Sequence, residues 1–311
     1  MKTLPMMATR RLWAQRVAIG LLGAAAGELD AQESEQPTIR TSVNFLLLDV
    51  GVIGKDGKPV TGLGKERFEV RDNGRKQSIV SFESGDTAGS YALVIDYSRS
   101  MRHRKTTVLA AVRHFAARLN PEDELAVVTF NDGPRVTQPL MVTANLKLDW
   151  QEHLMDVRAE GRTAMRDAIL TASDLLAHSR HTRRVAIILS DGEDTASQTT
   201  KPEFFTKLRS ADMTMFAICM FAPGEPDTDP GALEDITRET GGRMAFAEVT
   251  TKLAGAFDRI LSDLRTRYVI GVQPGDGQAK GLHHLKVVVH DAAGRELGTR
   301  ARRSYVSGGE K

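Results

Sequence analysis

Apolar and polar positions change period several times along this chain, and the changes predict its elements. Thr41 to Val52 is rich in strand formers. A turn follows at Lys55–Val60, where Asp56-Gly57 supplies positive φ. Phe68–Asp72 leads to a second turn at Asn73-Gly74, and Gln77–Glu83 alternates apolar and polar. These pieces form a small β-meander, too small to stand alone and in need of a partner sheet. From Tyr91 onward the pattern alternates strand and helix, which predicts a mostly parallel sheet with helices on both faces. Tyr91–Ile95, Glu124–Phe130, Val185–Leu189, Met213–Phe221 and Met244–Ala247 read as strands. Thr107–Leu119, Leu146–Val157, the stretch opened by Thr163, Pro202–Ala211, Pro230–Thr240 and Thr251–Leu264 read as helices. The chain then returns to strands at Arg267–Val272, His284–His290 and Arg295–Tyr305, with a turn at Asp291–Gly294.

The resulting division is residues 1–31, 32–87, 88–265 and 266–311. The expected fold class is α/β, a doubly wound, mostly parallel sheet. The terminal strand-rich segments are expected to pair into a β-sandwich-like region, with two separate extensions of the central sheet as the alternative.

The start of the chain changes the picture of where the protein works. Lys2, Arg10, Arg11 and Arg16 precede a short apolar core, Val17–Ala26, and acidic residues are absent before Glu28. This reads as an export signal, with Leu29-Asp30-Ala31 or Ala24-Ala25-Ala26 as the cleavage site. The core is too short for a stable membrane span. Arg10-Arg11 leaves the twin-arginine and general routes both open. The mature protein is expected to be exported, to the periplasm, the cell surface or the medium.

Composition mainly excludes. A hydrophobic content of 41% with 26% charged residues places the chain among globular proteins. A net charge of +2 gives no support for nucleic-acid binding. Cys219 is the single cysteine, so no internal disulfide forms, and its apolar surroundings read as core. No CxxC, GxSxG, GxGxxG or Walker loop occurs. His283 and His284 alternate across a strand and read as surface residues.

Candidate chemistry gathers at the ends of two apolar strands. Tyr91–Ile95 runs into Asp96-Tyr97-Ser98-Arg99-Ser100-Met101, and Val185–Leu189 runs into Ser190-Asp191-Gly192-Glu193-Asp194. Between them, Gly161-Arg162-Thr163 places a hydroxyl at a helix start. Hydroxyls and carboxylates are hard donors, suited to Mg²⁺, Mn²⁺ or Ca²⁺. In open α/β sheets, ligands lie beyond the carboxyl ends of strands.

These three segments in this order, DxSxSM, GxT and SDGED, resemble the von Willebrand factor type A (VWFA) domain and its metal-ion-dependent adhesion site (MIDAS). The likeness covers roughly residues 88–265. With the leader and strand-rich flanks, the layout also resembles bacterial secreted proteins called VWFA-related. The resemblance implies a divalent cation, Mg²⁺ or Mn²⁺ ahead of Ca²⁺, held by Asp96, Ser98, Ser100, Thr163 and Asp191. It implies direct binding by Ser98 and Ser100, water-mediated binding by Asp96 and Asp191, and direct binding by Thr163 once the site is engaged. It implies capture of a protein ligand through an Asp or Glu carboxylate, without catalysis. The last helix, Thr251–Leu264, is the mover in related domains. Arg99 departs from the glycine usual between the two serines. Arg99, Arg102, His103, Arg104, Lys105, Arg162 and Arg166 flank the segments and are expected to form a basic collar. The alternative functions are a metal-dependent hydrolase using the same oxygen cluster, and a scaffold with a vestigial site.

Overall fold

A computed structural model describes residues 45–147, 150–221, 229–248, 252–274 and 280–307. The expected export leader lies outside these residues. In chain order the strands and helices are β1 (Leu46–Ile53), β2 (Phe68–Asp72), β3 (Arg75–Ser84), β4 (Gly89–Asp96), α1 (Lys105–Ala116), β5 (Glu124–Phe130), β6 (Pro134–Val142), α2 (Trp150–Asp156), α3 (Met165–Ala177), β7 (Arg183–Ser190), α4 (Lys201–Ser210), β8 (Thr214–Phe221), α5 (Pro230–Thr240), β9 (Met244–Glu248), α6 (Leu253–Arg265), β10 (Tyr268–Gln273), β11 (Gly281–Val289), β12 (Gly298–Arg300) and β13 (Ser304–Ser307).

The central sheet has the order β6-β5-β4-β7-β8-β9. All of its pairings are parallel except β5–β6. Its central strands β4, β5 and β7 are buried along nearly their whole length because both faces are covered. Tyr91, Leu93 and Ile95 of β4 join Val185, Ile187 and Leu189 of β7 in a core shared with α1, α2 and α6. Ala92, Val94, Ala186 and Ile188 point the other way, into a core shared with α3, α4 and α5. Cys219 is buried in that second core. Strand β6 is an antiparallel edge that the sequence pattern did not predict. Its prolines, Pro134 and Pro139, argue against a strand, yet an edge with two register irregularities tolerates them.

The remaining strands form one seven-stranded sheet, β12-β1-β10-β3-β2-β11-β13. β1, β2 and β3 precede the central sheet and pair with β10 and β11, which follow it. The sequence pattern suggested a sandwich-like region. The observed strands instead curl around a single core of Leu48, Val50, Val70, Tyr268, Ile270 and Val287 and their neighbours. Curling brings β12 beside β1 while the Leu297 amide donates to the Val289 carbonyl, so the β11–β12 turn closes back on the sheet. The predicted strand Arg295–Tyr305 is broken in two at residues 301–303.

His283 is a correction. It is buried, with Nδ1 2.9 Å from Asp72 Oδ1 and Nε2 3.0 Å from Ser307 Oγ. Tyr305 donates its hydroxyl to Asp72 Oδ2 at 2.7 Å and packs its ring against the imidazole. His283 shares its face of β11 with Leu285, Val287 and Val289, so the alternation that buries those core residues also places His283 inward.

The curled sheet meets the central one through buried arginines. Arg267, 0% exposed, ion-pairs with Asp49 and donates to the carbonyls of Asp49, Gly241 and Arg300. Arg183, at the start of β7, donates to the Gly85 and Thr87 carbonyls, and its Nε lies 3.7 Å from Asp49 Oδ2. Arg302 donates to the carbonyls of Arg209 and Ala211 beside the start of β8. This junction therefore lies at the amino ends of the parallel strands. Their carboxyl ends are left for the candidate site.

Candidate metal centre

Asp96 is the last residue of β4, and Ser190 the last of β7. The two strands are parallel neighbours, so the loops that follow them emerge side by side. Ser190 Oγ donates to Asp96 Oδ2 at 2.7 Å and accepts the Gly192 amide at 3.1 Å. Asp96 Oδ1 accepts the Ser98 amide at 2.8 Å, an Asx-type closure that turns the chain out of the strand. Both Asp96 oxygens are thus occupied by donors from this chain.

A second set of bonds runs above that pair. Ser100 Oγ donates to Asp191 Oδ2 at 2.7 Å, and Ser98 Oγ lies 3.0 Å from Ser100 Oγ. Since Ser100 gives its single hydrogen to Asp191, the hydrogen between the serines comes from Ser98. Gly192 has φ +94°, and a Cβ there would fall 2.1 Å from the Asp229 carbonyl oxygen. Only glycine lets the chain after Asp191 pass this close to Asp229.

Thr163 is buried and joins the group through its main chain. Its amide donates to Thr195 Oγ1 at 3.2 Å, and its carbonyl accepts the amides of Thr195 and Ala196 at 2.9 Å. The Arg99 amide donates to the Gly161 carbonyl at 3.4 Å, which links the serine loop to the threonine loop. Asp96, Ser98, Ser100 and Asp191 are therefore linked by hydrogen bonds, Asp96 through the Ser98 amide, and Thr163 is tied to the loop after β7 through Thr195 and Ala196. The sequence reading missed Ser190 as a member. Its place beside Asp191, directly after the apolar strand, was the available signal.

Burial and then the Asp191 charge push the Asp96 carboxyl up to about 7. Hydrogen bonds from Ser98 and Ser190 act against that rise. The Asp96 and Asp191 carboxylates and the hydroxyls of Ser98 and Ser100 are hard oxygen donors of the kind a divalent cation takes. Among the described residues, no group of three or more His, Cys, Asp and Glu side chains converges. Any ion here would rely on hydroxyls as well as carboxylates.

The expected basic collar is reduced. Arg99, Arg102, His103 and Arg162 are exposed. Arg104 is buried and donates to the Met220 carbonyl at 3.2 Å. Lys105 reaches the Val157 carbonyl at 2.7 Å, under a short 3-10 turn, Arg99–Arg104, that runs straight into α1. Arg166 is drawn to Asp194, whose Oδ2 lies 3.4 Å from its Nε. Arg104, Lys105 and Arg166 thus serve the loop scaffold.

Comparison with known proteins follows this geometry. The von Willebrand factor type A domain family model matches residues 91–193. That match takes in Asp96, Ser98, Ser100, Thr163 and Asp191. A von Willebrand factor type A protein from Catenulispora acidiphila superposes with a TM-score of 0.51 at 15% identity, over 86% of this chain and 75% of that one. BatB from Bacteroides thetaiotaomicron gives a TM-score of 0.45 at 13% identity, over 57% and 98%. Proximal thread matrix protein 1 from the mussel byssus, solved with a zinc-occupied MIDAS motif, gives 0.46 at 15% identity, over 58% and 48%. At these identities the Catenulispora superposition establishes the fold alone. No curated protein matches the chain.

Proposed function

We propose that this is an exported, non-enzymatic protein that binds a divalent cation and uses it to hold a carboxylate of a protein partner. The observation that carries the reading is the bond chain from Asp96 through Ser190 and from Ser98 through Ser100 to Asp191. Ser98, Ser100 and Thr163 would offer hydroxyl oxygens to Mg²⁺ or Mn²⁺, and Asp96 and Asp191 the balancing charge. Both Asp96 oxygens already accept hydrogen bonds, which favours a role for Asp96 at one remove from the ion. Few direct carboxylates leave a bound cation electrophilic, and a partner's Asp or Glu oxygen can then coordinate it. The chain's own contribution is positional. Ser190 fixes the Asp96 carboxylate, Gly192 fixes the Asp191 loop, and the exposed Arg99, Arg102 and Arg162 favour an acidic partner's approach.

The division into a leader (1–31), a VWFA domain (88–265) and flanking strand segments (32–87 and 266–311) belongs to the same proposal. So does membership of the bacterial secreted VWFA-related group. No helix among the described residues is long and apolar enough to cross a membrane.

The test is calorimetric titration of residues 32–311 with MgCl₂ and MnCl₂, beside Asp96→Ala. Saturable one-site binding lost in the variant supports the reading. Equal heats in both proteins would remove it.

A further inference from the structure

A second surface lies far from the candidate metal centre. β7, β8 and β9 run parallel, and β9 is the last strand of its sheet. The metal centre sits at the carboxyl ends of β4 and β7, whereas this surface starts at Gly241 and Gly242, before β9 begins. It is an open groove of about 420 Å³ between α5, β9 and the β12–β13 connection. Four arginines line it, Arg238, Arg243, Arg300 and Arg303, against the single carboxylate of Glu234.

The arginines are not equivalent. Arg238 is paired with Glu234 at 2.7 Å, and Arg243 lies 3.3 Å from Asp263. Arg300 and Arg303 have no ion pair among the described residues. Burial, with Arg243 and Arg267 nearby, lowers the Arg300 guanidinium below its usual range, and Asp263 offsets this in part. Positive charge is therefore concentrated here beyond what the protein's own carboxylates balance, and an anionic ligand would relieve it.

The groove also has an apolar side and a hydrogen-bonding side. Phe246 is 54% exposed, and Met244 lies two residues earlier on the same face of β9. Among the described residues β9 pairs only with β8 and forms the edge of its sheet, where a further strand can add. A sheet edge, an exposed aromatic and guanidinium groups without ion pairs together suit one kind of occupant. A strand supplies backbone partners, and alternate side chains can meet Phe246 and the arginines.

We propose that this groove binds an acidic peptide segment in extended form, laid along β9 with its carboxylates on Arg300 and Arg303 and an apolar residue on Phe246. This surface is distinct from the capture of a carboxylate at the metal centre, and it requires no cation.

The experiment uses fluorescence anisotropy on the mature chain. The probe is a labelled decapeptide alternating Glu or Asp with Leu and Val, and its control carries Gln and Asn at the acidic positions. Binding of the acidic probe should be at least tenfold tighter than binding of the control. Arg300→Gln with Arg303→Gln should weaken it at least tenfold with an unchanged thermal midpoint. The exposed single changes Arg303→Gln and Phe246→Ser should each weaken it in part, which keeps the test valid if the double variant folds poorly. EDTA and Asp96→Ala should leave it unaltered, and this separates the result from the fate of the metal-centre reading. Affinity that vanishes with EDTA, or that survives the arginine and Phe246 changes, would overturn the proposal. So would polyphosphate or a polynucleotide competing as well as the peptide, which would indicate a surface that reads charge alone.

Discussion

Ser190 donates its hydroxyl hydrogen to Asp96 across 2.7 Å, and so ties the end of β7 to the end of β4 beneath the oxygen cluster. The bond is fully buried and holds the Asp96 carboxylate in one orientation. Groups that orient ligands in this way affect cation affinity by roughly 10–100-fold. Ser190→Ala should weaken Mg²⁺ binding by about tenfold, and loss of a buried hydrogen bond should cost about 1–2 kcal/mol of stability. Calorimetry and urea unfolding read the two effects separately. A variant with wild-type Mg²⁺ affinity would place Ser190 outside the site.

The Asp96 carboxyl stands at about 7 in the fold, against about 3.9 in an unfolded chain. The folded state therefore holds this proton more tightly. Its contribution to stability is greatest at low pH and is lost as pH rises from about 4 through about 7. A cation bound at the proposed site would compete with this proton, so MgCl₂ should raise the urea midpoint more at pH 8 than at pH 5.5. Asp96→Asn should abolish that difference. An equal Mg²⁺ effect at both pH values in the wild type would contradict the assignment.

Arg267 is the centre of the junction between the two sheets. Arg267→Met would leave Asp49 and Asp263 with a lost counter-charge and three carbonyls without this donor. Breaking a buried pair from one side costs roughly 3–5 kcal/mol. Adding Asp49→Asn should recover part of the loss, which a double-mutant cycle measures. Independent, additive losses would show that the two residues do not act together.

Gly192→Ala combines positive φ with a Cβ that meets backbone at 2.1 Å. The loop must shift, and Asp191 with it. The expected result is a weakened or absent Mg²⁺ response with the central sheet retained, seen as unchanged far-ultraviolet circular dichroism. Wild-type Mg²⁺ binding by this variant would show that the Asp191 loop adapts freely.

The elements legible in the sequence are those whose burial leaves a periodic trace. β4, β5 and β7 are apolar on both faces, and α5 is closed by Pro230 at its start and Gly241 at its end, with bounds matching the sequence reading. The oxygen-bearing residues were also visible, because each follows an apolar strand or precedes a helix. What the pattern hid depends on partners distant in sequence. β6 carries two prolines that only an edge accommodates. His283 is held on the inner face of β11 by Asp72, 211 residues away. Arg104, Arg183, Arg267 and Arg302 look like surface charges until the carbonyls they satisfy are known.

Ser84 and Tyr268 are register partners, so the chain leaves the curled sheet for the central one and returns to it at neighbouring positions on adjacent strands. A pull applied to the two ends of the described chain is met first by the ladders that hold β1 to β10 and β12 and β13 to β11. The oxygen cluster lies in the part of the chain that the β3–β10 ladder closes off behind them. The terminal strands therefore take the load before any of it reaches the cluster.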